Sequence, residues 1–285
     1  MDDAGPCSPV PAGFRVVRVN VSAYNTRPMV VRAGRDWLSL MLRRHGHWEV
    51  RQPDDVLRGM APGTTLPRAP ATFLDIGANL GFFSLMFAAR GDRVIAVEPM
   101  SSNRRALEAT LCRNPDLASR VIIVATALGA RERSGSCVVR SHATQNLGNG
   151  LLECGDGEAY TCSTLKPPSR EMLTREGLPQ PLTVDSWRRL PCEEVSVTTI
   201  DAVLRRLAPH AIDFVKMDIE GHECAALQGA TALFTTYKPR FLLTEWKQRH
   251  VAKCWRELAR THHYRTGAQW GTDRNVGLML EYSVR

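Results

Sequence analysis

Apolar residues recur along this chain at two spacings, and the points where one gives way to the other mark its predicted elements. From Ala71 to Pro99, ATFLDIGANLGFFSLMFAARGDRVIAVEP, the apolar pair Phe73-Leu74 runs into Asp75 and a glycine-punctuated turn, Gly77-Ala78-Asn79-Leu80-Gly81. Phe82, Phe83, Leu85, Met86, Phe87 and Ala89 follow at helical spacing. After Gly91 a second apolar run, Val94 to Val97, stops at Glu98. This strand–turn–helix–strand unit predicts the first half of a doubly wound parallel sheet.

The same punctuation orders the rest. Upstream, Phe14 to Val31 reads as a strand, a turn at Asn25 to Pro28 and a second strand at Met29 to Val31. Asp36 is placed to cap a helix beginning at Trp37. Residues 13–70 make a small cap ahead of the sheet, offering His45, His47 and Glu49 as polar members of a site. Beyond Glu98-Pro99, a helix over Ser101 to Arg113 takes Ser101 or Ser102 as its cap and carries Asn103 in its first turn. Val121 to Val124 is an apolar run of strand length, with Thr126-Ala127-Leu128-Gly129 leaving its tip.

Residues 130–194 break the alternation. Ser136 to Arg140 reads as a strand, Gln145 to Gly150 as a turn, and Glu153 to Pro181 is rich in Gly, Pro, Ser and Thr. A loop of this length in a compact domain points to a lid or substrate-selecting insertion, or to a disordered surface insertion. Afterwards come a strand at Val195 to Thr199, a helix from Ile200, and a core strand, Ile212 to Met217. That strand delivers Asp218-Ile219-Glu220-Gly221-His222-Glu223. A helix through Ala225 to Leu227, a strand Phe241 to Thr244 tipped by Glu245, and a helix around Cys254 to Arg260 follow. His263 to Ala268 and Val276 to Tyr282 form a closing hairpin.

Composition sharpens this picture. A chain of 285 residues with 44% apolar content suits one α/β domain with decorations. No stretch approaches the roughly 20 apolar residues of a membrane span. Met1-Asp2-Asp3-Ala4-Gly5-Pro6 resembles neither a signal peptide nor a basic transit peptide, so a soluble cytoplasmic protein is expected, with residues 1–12 as a disordered tail. The 8 cysteines contain no C-x-x-C pair, so zinc is not expected, and free, mostly buried thiols are expected in place of a disulfide framework. The net charge of +8 rests on dispersed arginine doublets without interleaved aromatics. A solvated basic surface explains this better than nucleic-acid binding, and an anionic substrate is compatible with it.

The chemistry follows from the strand tips. Gly77 and Gly81 allow a sharp turn and close approach to a ligand. Glu98, about 20 residues on, can accept hydrogen bonds from both hydroxyls of a ribose. Asn79 stands where G-x-G-x-x-G requires its second glycine, and Asp75 puts a carboxylate where a dinucleotide phosphate would lie. Carboxylates suit a cationic ligand, the sulfonium and ammonium of S-adenosylmethionine, which favours a methyltransferase over a dehydrogenase. Ala127 leaves a strand tip of the kind that borders the adenine. Asp218, Glu220 and Glu245 tip two further core strands. Methyl transfer to a hydroxyl needs in-line approach and removal of a proton. Asp218 is assigned as base, with Glu245 or Glu220 orienting the substrate. A divalent ion shared by these carboxylates is compatible but not expected. Glu223 is read as a helix-capping carboxylate.

With these residues in place, the chain resembles the FkbM family of S-adenosylmethionine-dependent methyltransferases. The resemblance rests on Leu74 to Ser84, Val97-Glu98-Pro99 and Ile212 to Glu223, with weaker echoes at Gly46-His47-Trp48-Glu49, Thr199-Ile200-Asp201 and Glu245. It implies a Rossmann-like class I methyltransferase sheet of seven strands, the last antiparallel, over residues 71–285. It also implies O-methylation of a sugar, glycan or other small-molecule hydroxyl. Asp75, Gly77, Asn79 and Gly81 would line the methionine end of the cofactor, Glu98 would hold the ribose, and Asp218 would sit by the reacting centre; Pro99, Asn103 and Ala127 are further cofactor-binding candidates. Ribose methylation of RNA, and a catalytically inactive cofactor-binding module, are the competing readings. Oligomeric state and acceptor identity stay open.

Overall fold

In the computed structural model, residues 9–143, 146–155, 161–163, 190–271 and 274–281 are described. The expected tail falls mostly outside them, as do Gln145 and residues 164–189 of the expected insertion.

Seven strands form the central sheet, in the order β12-β13-β11-β10-β3-β4-β5. They are β3 (Thr72–Ile76), β4 (Arg93–Val97), β5 (Val121–Val124), β10 (Phe214–Met217), β11 (Phe241–Glu245), β12 (Tyr264–Thr266) and β13 (Asn275–Leu280). β5, β4, β3, β10 and β11 are parallel, and β13 runs antiparallel to both its neighbours. The class I methyltransferase sheet expected from the sequence is present.

Both faces of the sheet are covered, which is why its strands are near-continuous apolar runs. Register carries Phe73, Phe214 and Phe241 side by side on three neighbouring strands. Phe73 stacks on Phe214 at 4.7 Å between ring centroids, and Phe87 from α2 (Phe82–Arg90) closes over both at 4.4 and 4.9 Å. The alternate residues Leu74, Ile76, Val215, Met217 and Leu242 point the other way. They pack with Val203 and Leu204 of α5 (Ile200–Leu207) and Trp255 of α7 (Arg249–Thr261). Period two thus divides each strand between two cores.

The amino-terminal residues fold as a hairpin, β1 (Phe14–Ser22) with β2 (Asn25–Arg32), followed by α1 (Trp37–His45). Its turn sits at Ala23-Tyr24, and Asn25 to Pro28, expected as the turn, continue β2. Asp36 caps α1 by accepting from the Ser39 amide at 2.9 Å. The hairpin is pinned to α3 (Ser101–Cys112): the Val30 amide donates to Thr110, and Arg32 donates to Asn103 at 2.6 Å.

The expected irregular insertion contains a second sheet. β6 (Ala127–Leu128), β9 (Cys192–Thr198), β7 (Arg133–Ala143) and β8 (Asn146–Cys154) lie in that spatial order. Residues 146–150 are therefore strand and not turn. Their glycines look like turn formers, but Gly150 has no Cβ because Val139 Cγ1 would stand 2.2 Å from it.

The expectation of free thiols is overturned. Cys137 pairs with Cys154 directly across the β7–β8 ladder, and Cys162 bonds Cys192. Cys224 of α6 (Glu223–Gln228) bonds Cys254 of α7. Cys112 is disulfide-bonded as well. In the first three of these pairs the partners lie 17 to 30 residues apart, across elements whose pairing only the fold sets, and this hid them in the sequence.

Candidate active site

A parallel sheet offers ligands the crevice beyond the carboxyl ends of its strands, where the chain order reverses. Here that point lies between β3 and β10, whose successors run outward in opposite directions. Gly77 leaves β3 at φ +79, and a Cβ on it would sit 1.9 Å from the backbone oxygen of Asp218 at the tip of β10. The glycine turn and the acidic tip, far apart in sequence, are thus in backbone contact.

A cleft opens around this junction. Gly77, Ala78, Asn79, Glu98, Pro99, Thr126, Ala127 and Leu128 line one end. Lys216, Asp218, Ile219, Glu220 and His222 line another part of the wall. Trp48 and Leu38 come from the amino-terminal cap, and Val139, Gly150 and Leu152 from the second sheet.

Glu98 is tightly held. Its Oε2 accepts from the Asn79 amide at 2.8 Å, and Oε1 accepts from the Met100 amide at 2.8 Å and Asn103 Nδ2 at 3.3 Å. Burial pushes its carboxyl up to about 7, against the restraint of those hydrogen bonds and of Arg104. The helix expected to be capped by Ser101 or Ser102 is instead served by Glu193 of β9. That carboxylate accepts from the Ser101 amide at 2.6 Å and the Ser102 amide at 3.4 Å. An acid at a helix start complements the dipole, and it ties the second sheet to the Glu98 side of the cleft.

Asp75 does not reach the cleft wall. It is 1% exposed, accepts from Ser84 Oγ at 2.6 Å, and lies in register with Lys216 on β10. Burial raises its pKa, opposed by Lys216 and Ser84. Gly81 and Asn103 also stand behind the wall: Gly81 starts α2, and Asn103 bridges Arg32 and Glu98. Asn79 does face the cleft, at φ +53, and its Oδ1 is buried without a hydrogen-bond partner among the described residues.

At the acidic tips, Lys216 Nζ lies 3.0 Å from Asp218 Oδ2 and 5.0 Å from the centre of the Phe83 ring. Burial alone would lower the Lys216 pKa, but Asp218, Asp75 and Glu49 together raise it, so the ammonium stays charged. Asp218, Glu220 and Glu245 each place a carboxylate oxygen within 4.8 Å of the others. That donor set suits a hard divalent cation. Glu49 accepts from Asn275, the residue paired with Glu245 across the β11–β13 ladder. Glu223, read as a helix cap, accepts from the Ile219 amide at 3.0 Å, and burial pushes its carboxyl up to about 7. His222 is kept below its ordinary pKa by burial. His47 sits beside Arg51, and neither His45 nor His47 lines the cleft.

Sequence reasoning named neither Lys216 nor Glu193 for the site; Trp48 entered it only within a weak family echo, and β7 and β8 only within the insertion read as a lid or substrate-selecting segment. Lys216 carried a signal, a lone charge in an otherwise apolar core strand. The others are brought in by tertiary packing.

The family model for the Methyltransferase FkbM domain matches residues 75–266. A stretch of 178 residues, 59% of this chain, is 29% identical to the AMB antimetabolite synthetase AmbE of Pseudomonas aeruginosa, of which it spans 8%. Methyltransferase FkbM from Methylobacillus flagellatus is similar in fold, with a TM-score of 0.50 at 18% identity, covering 78% of this chain and 47% of that one. The N-terminal domain of human METTL16, solved in complex with SAH, aligns with a TM-score of 0.36 at 12% identity over 80% of this chain and 66% of that one.

Proposed function

This chain belongs to the methyltransferase FkbM domain family, and we propose that it transfers the methyl group of S-adenosylmethionine to a hydroxyl of a sugar, glycan or other small metabolite. The observation that carries this reading is the single cleft lined by both Glu98 and Asp218, with Gly77 in contact with the Asp218 backbone between them. The cofactor, when bound, supplies an electrophilic sulfonium methyl.

The residues fit such a ligand. Glu98 is placed for the ribose hydroxyls, and the orphaned Asn79 Oδ1 can accept from the amino group of the methionine portion. Lys216 holds Asp218 Oδ2, leaving Oδ1 to take the proton of the acceptor hydroxyl. With the cofactor bound, Asp218 would take the proton of the acceptor hydroxyl as that oxygen receives the methyl group. Glu220 and Glu245 are placed to orient the acceptor's other hydroxyls. No step requires a divalent ion.

A small acceptor is favoured over RNA because many arginines are spent on the protein itself. Arg43 donates to Ala33 and Gly34 carbonyls, Arg90 to Pro67, Arg104 to Glu98 and Pro99, and Arg113 to Ala109.

Calorimetry with S-adenosylhomocysteine, paired with turnover on a panel of methyl glycosides, tests the assignment. Asp218→Asn should keep the S-adenosylhomocysteine Kd within about threefold of wild type and lose roughly 10²- to 10⁴-fold in turnover. Undiminished turnover would remove Asp218 as base. Failure of the wild type to bind S-adenosylhomocysteine would end the cofactor reading.

A further inference from the structure

We propose that the Cys224–Cys254 disulfide is a positioning pair for the acceptor side of the cleft, so that only the oxidised enzyme presents its three acids together. The proposal rests on the functional reading above. The loop Asp218 to His222 runs straight into α6, whose second residue is Cys224, and Glu245 to Gln248 runs into α7, which carries Cys254. The bond therefore ties together the two helices that follow the two acid-bearing loops.

Nearby contacts are weaker and depend on the same approach. His250 Nε2 lies 3.1 Å from the Gly221 carbonyl. The Gln248 side chain occupies the space where a Gly221 Cβ would stand, with Oε1 at 2.2 Å. Gly221 takes φ +94 readily, but Glu220 is held at φ +55, a conformation non-glycine residues seldom adopt. Three carboxylates within 4.8 Å repel one another, although Lys216 reaches Asp218 and Lys247, about half exposed, lies 3.7 Å from Glu245. Like charges gathered on two loops separate unless something holds the loops. A covalent tie closing a 30-residue separation resists that separation independently of salt and pH.

On the cofactor side, Glu98, Asn79, Met100 and Asn103 are joined by hydrogen bonds within one stretch of chain, with no disulfide between them. The two sides should thus respond differently to reductant. The test compares wild type with Cys224→Ala/Cys254→Val, each with and without dithiothreitol. Amide hydrogen exchange at Ile219 and at 246–248, S-adenosylhomocysteine affinity, and kcat and KM on a methyl glycoside would be read. Reduction of the wild type should speed exchange at those amides at least tenfold and raise the acceptor KM about tenfold. S-adenosylhomocysteine Kd should stay within twofold, and the double variant should already show the loosened values and ignore reductant. Equal exchange in oxidised wild type and double variant would overturn the proposal. So would a reductant effect as large in the variant as in wild type, or parallel loss of S-adenosylhomocysteine binding. Exchange does not depend on turnover, so an inactive protein that still binds S-adenosylhomocysteine fails the functional reading without touching this one.

The disulfides of the second sheet carry an independent inference: the protein matures in an oxidising compartment and not the cytoplasm expected from its sequence. Cys137–Cys154 and Cys162–Cys192 join no element that carries the acidic loops, and no described cysteine is free. Disulfides persist in oxidising compartments and are rare in the cytosol. Protein isolated from its source cells with N-ethylmaleimide present at lysis should carry no label on Cys137, Cys154, Cys162 or Cys192. Labelling of those four would overturn the inference.

Discussion

The two ends of the cleft are built on different plans. At the end around Glu98, that residue is 4% exposed and bonded to Asn79, Met100 and Asn103, so the hydrogen bonds that hold it lie within 25 consecutive residues from 79 to 103. At the acceptor end, Asp218 has a third of its side chain exposed, and its neighbours arrive from Trp48, Glu245, Asn275 and the second sheet. A ligand shared by many enzymes can be held by a local motif. An acceptor particular to one enzyme is met by a surface assembled from separate segments, where change at one segment leaves the others intact.

The sharpest way to break this contrast is to add one methyl group at each end. In Gly77→Ala the new Cβ meets the Asp218 carbonyl at 1.9 Å, and neither strand tip can yield. With φ at +79 as well, the variant should lose roughly 3 kcal/mol or more of stability and all S-adenosylhomocysteine binding. Gly221→Ala meets only the end of the Gln248 side chain, which can swing away. Its cost should be the backbone term, about 1–2 kcal/mol, with cofactor affinity kept. Urea denaturation and calorimetry on both variants decide the matter, and equal losses would mean that the two ends are not separately built.

The same contrast explains what could be read before the fold was known. The cofactor end was legible because its residues are neighbours in sequence and each type has a local reason: glycine for φ +79 at position 77, an acid at a strand tip at 98. Asp75 shows the limit of that reading. Its carboxylate looked aimed at the ligand, yet alternation along β3 turns it inward against Ser84 and Lys216. The acceptor end was half legible. Asp218, Glu220 and Glu245 were found as strand tips, while Trp48, Glu193 and the β7–β8 wall depend on packing between segments that no periodicity relates. Cysteine pairing failed for the same reason, and β8 was mistaken for turn material although Gly150 in it serves close packing against Val139.

Acid should separate the ends next. The Glu98 carboxyl, about 7 when folded against an ordinary 4.5, holds a proton between those values that the unfolded chain has released. Stability of the free protein therefore falls as pH rises through that window, and Glu223 adds a trend of the same sign. Ribose hydroxyls need the ionised carboxylate as acceptor, so S-adenosylhomocysteine affinity should move the other way, weakening by up to about tenfold per unit as pH drops below 7. Isothermal titration from pH 5.5 to 8.5 reads this. Glu98→Gln should flatten the affinity profile, whereas Glu223→Gln should leave it intact because Glu223 bonds the Ile219 amide at the acceptor end.

The smallest effect belongs to Trp48→Ala. Trp48 lines the cleft and is followed by Glu49, which reaches Asn275 opposite Glu245, so we assign it to the acceptor side. An aromatic face lost from a sugar contact costs about 0.5–1.5 kcal/mol, roughly a two- to twelvefold rise in acceptor KM. Because no cofactor-end hydrogen bond involves Trp48, the S-adenosylhomocysteine Kd should stay within twofold of wild type. Steady-state kinetics on a methyl glycoside beside calorimetry gives both numbers. A raised S-adenosylhomocysteine Kd with an unchanged acceptor KM would move Trp48 to the cofactor end and with it the boundary drawn between the two halves of the cleft.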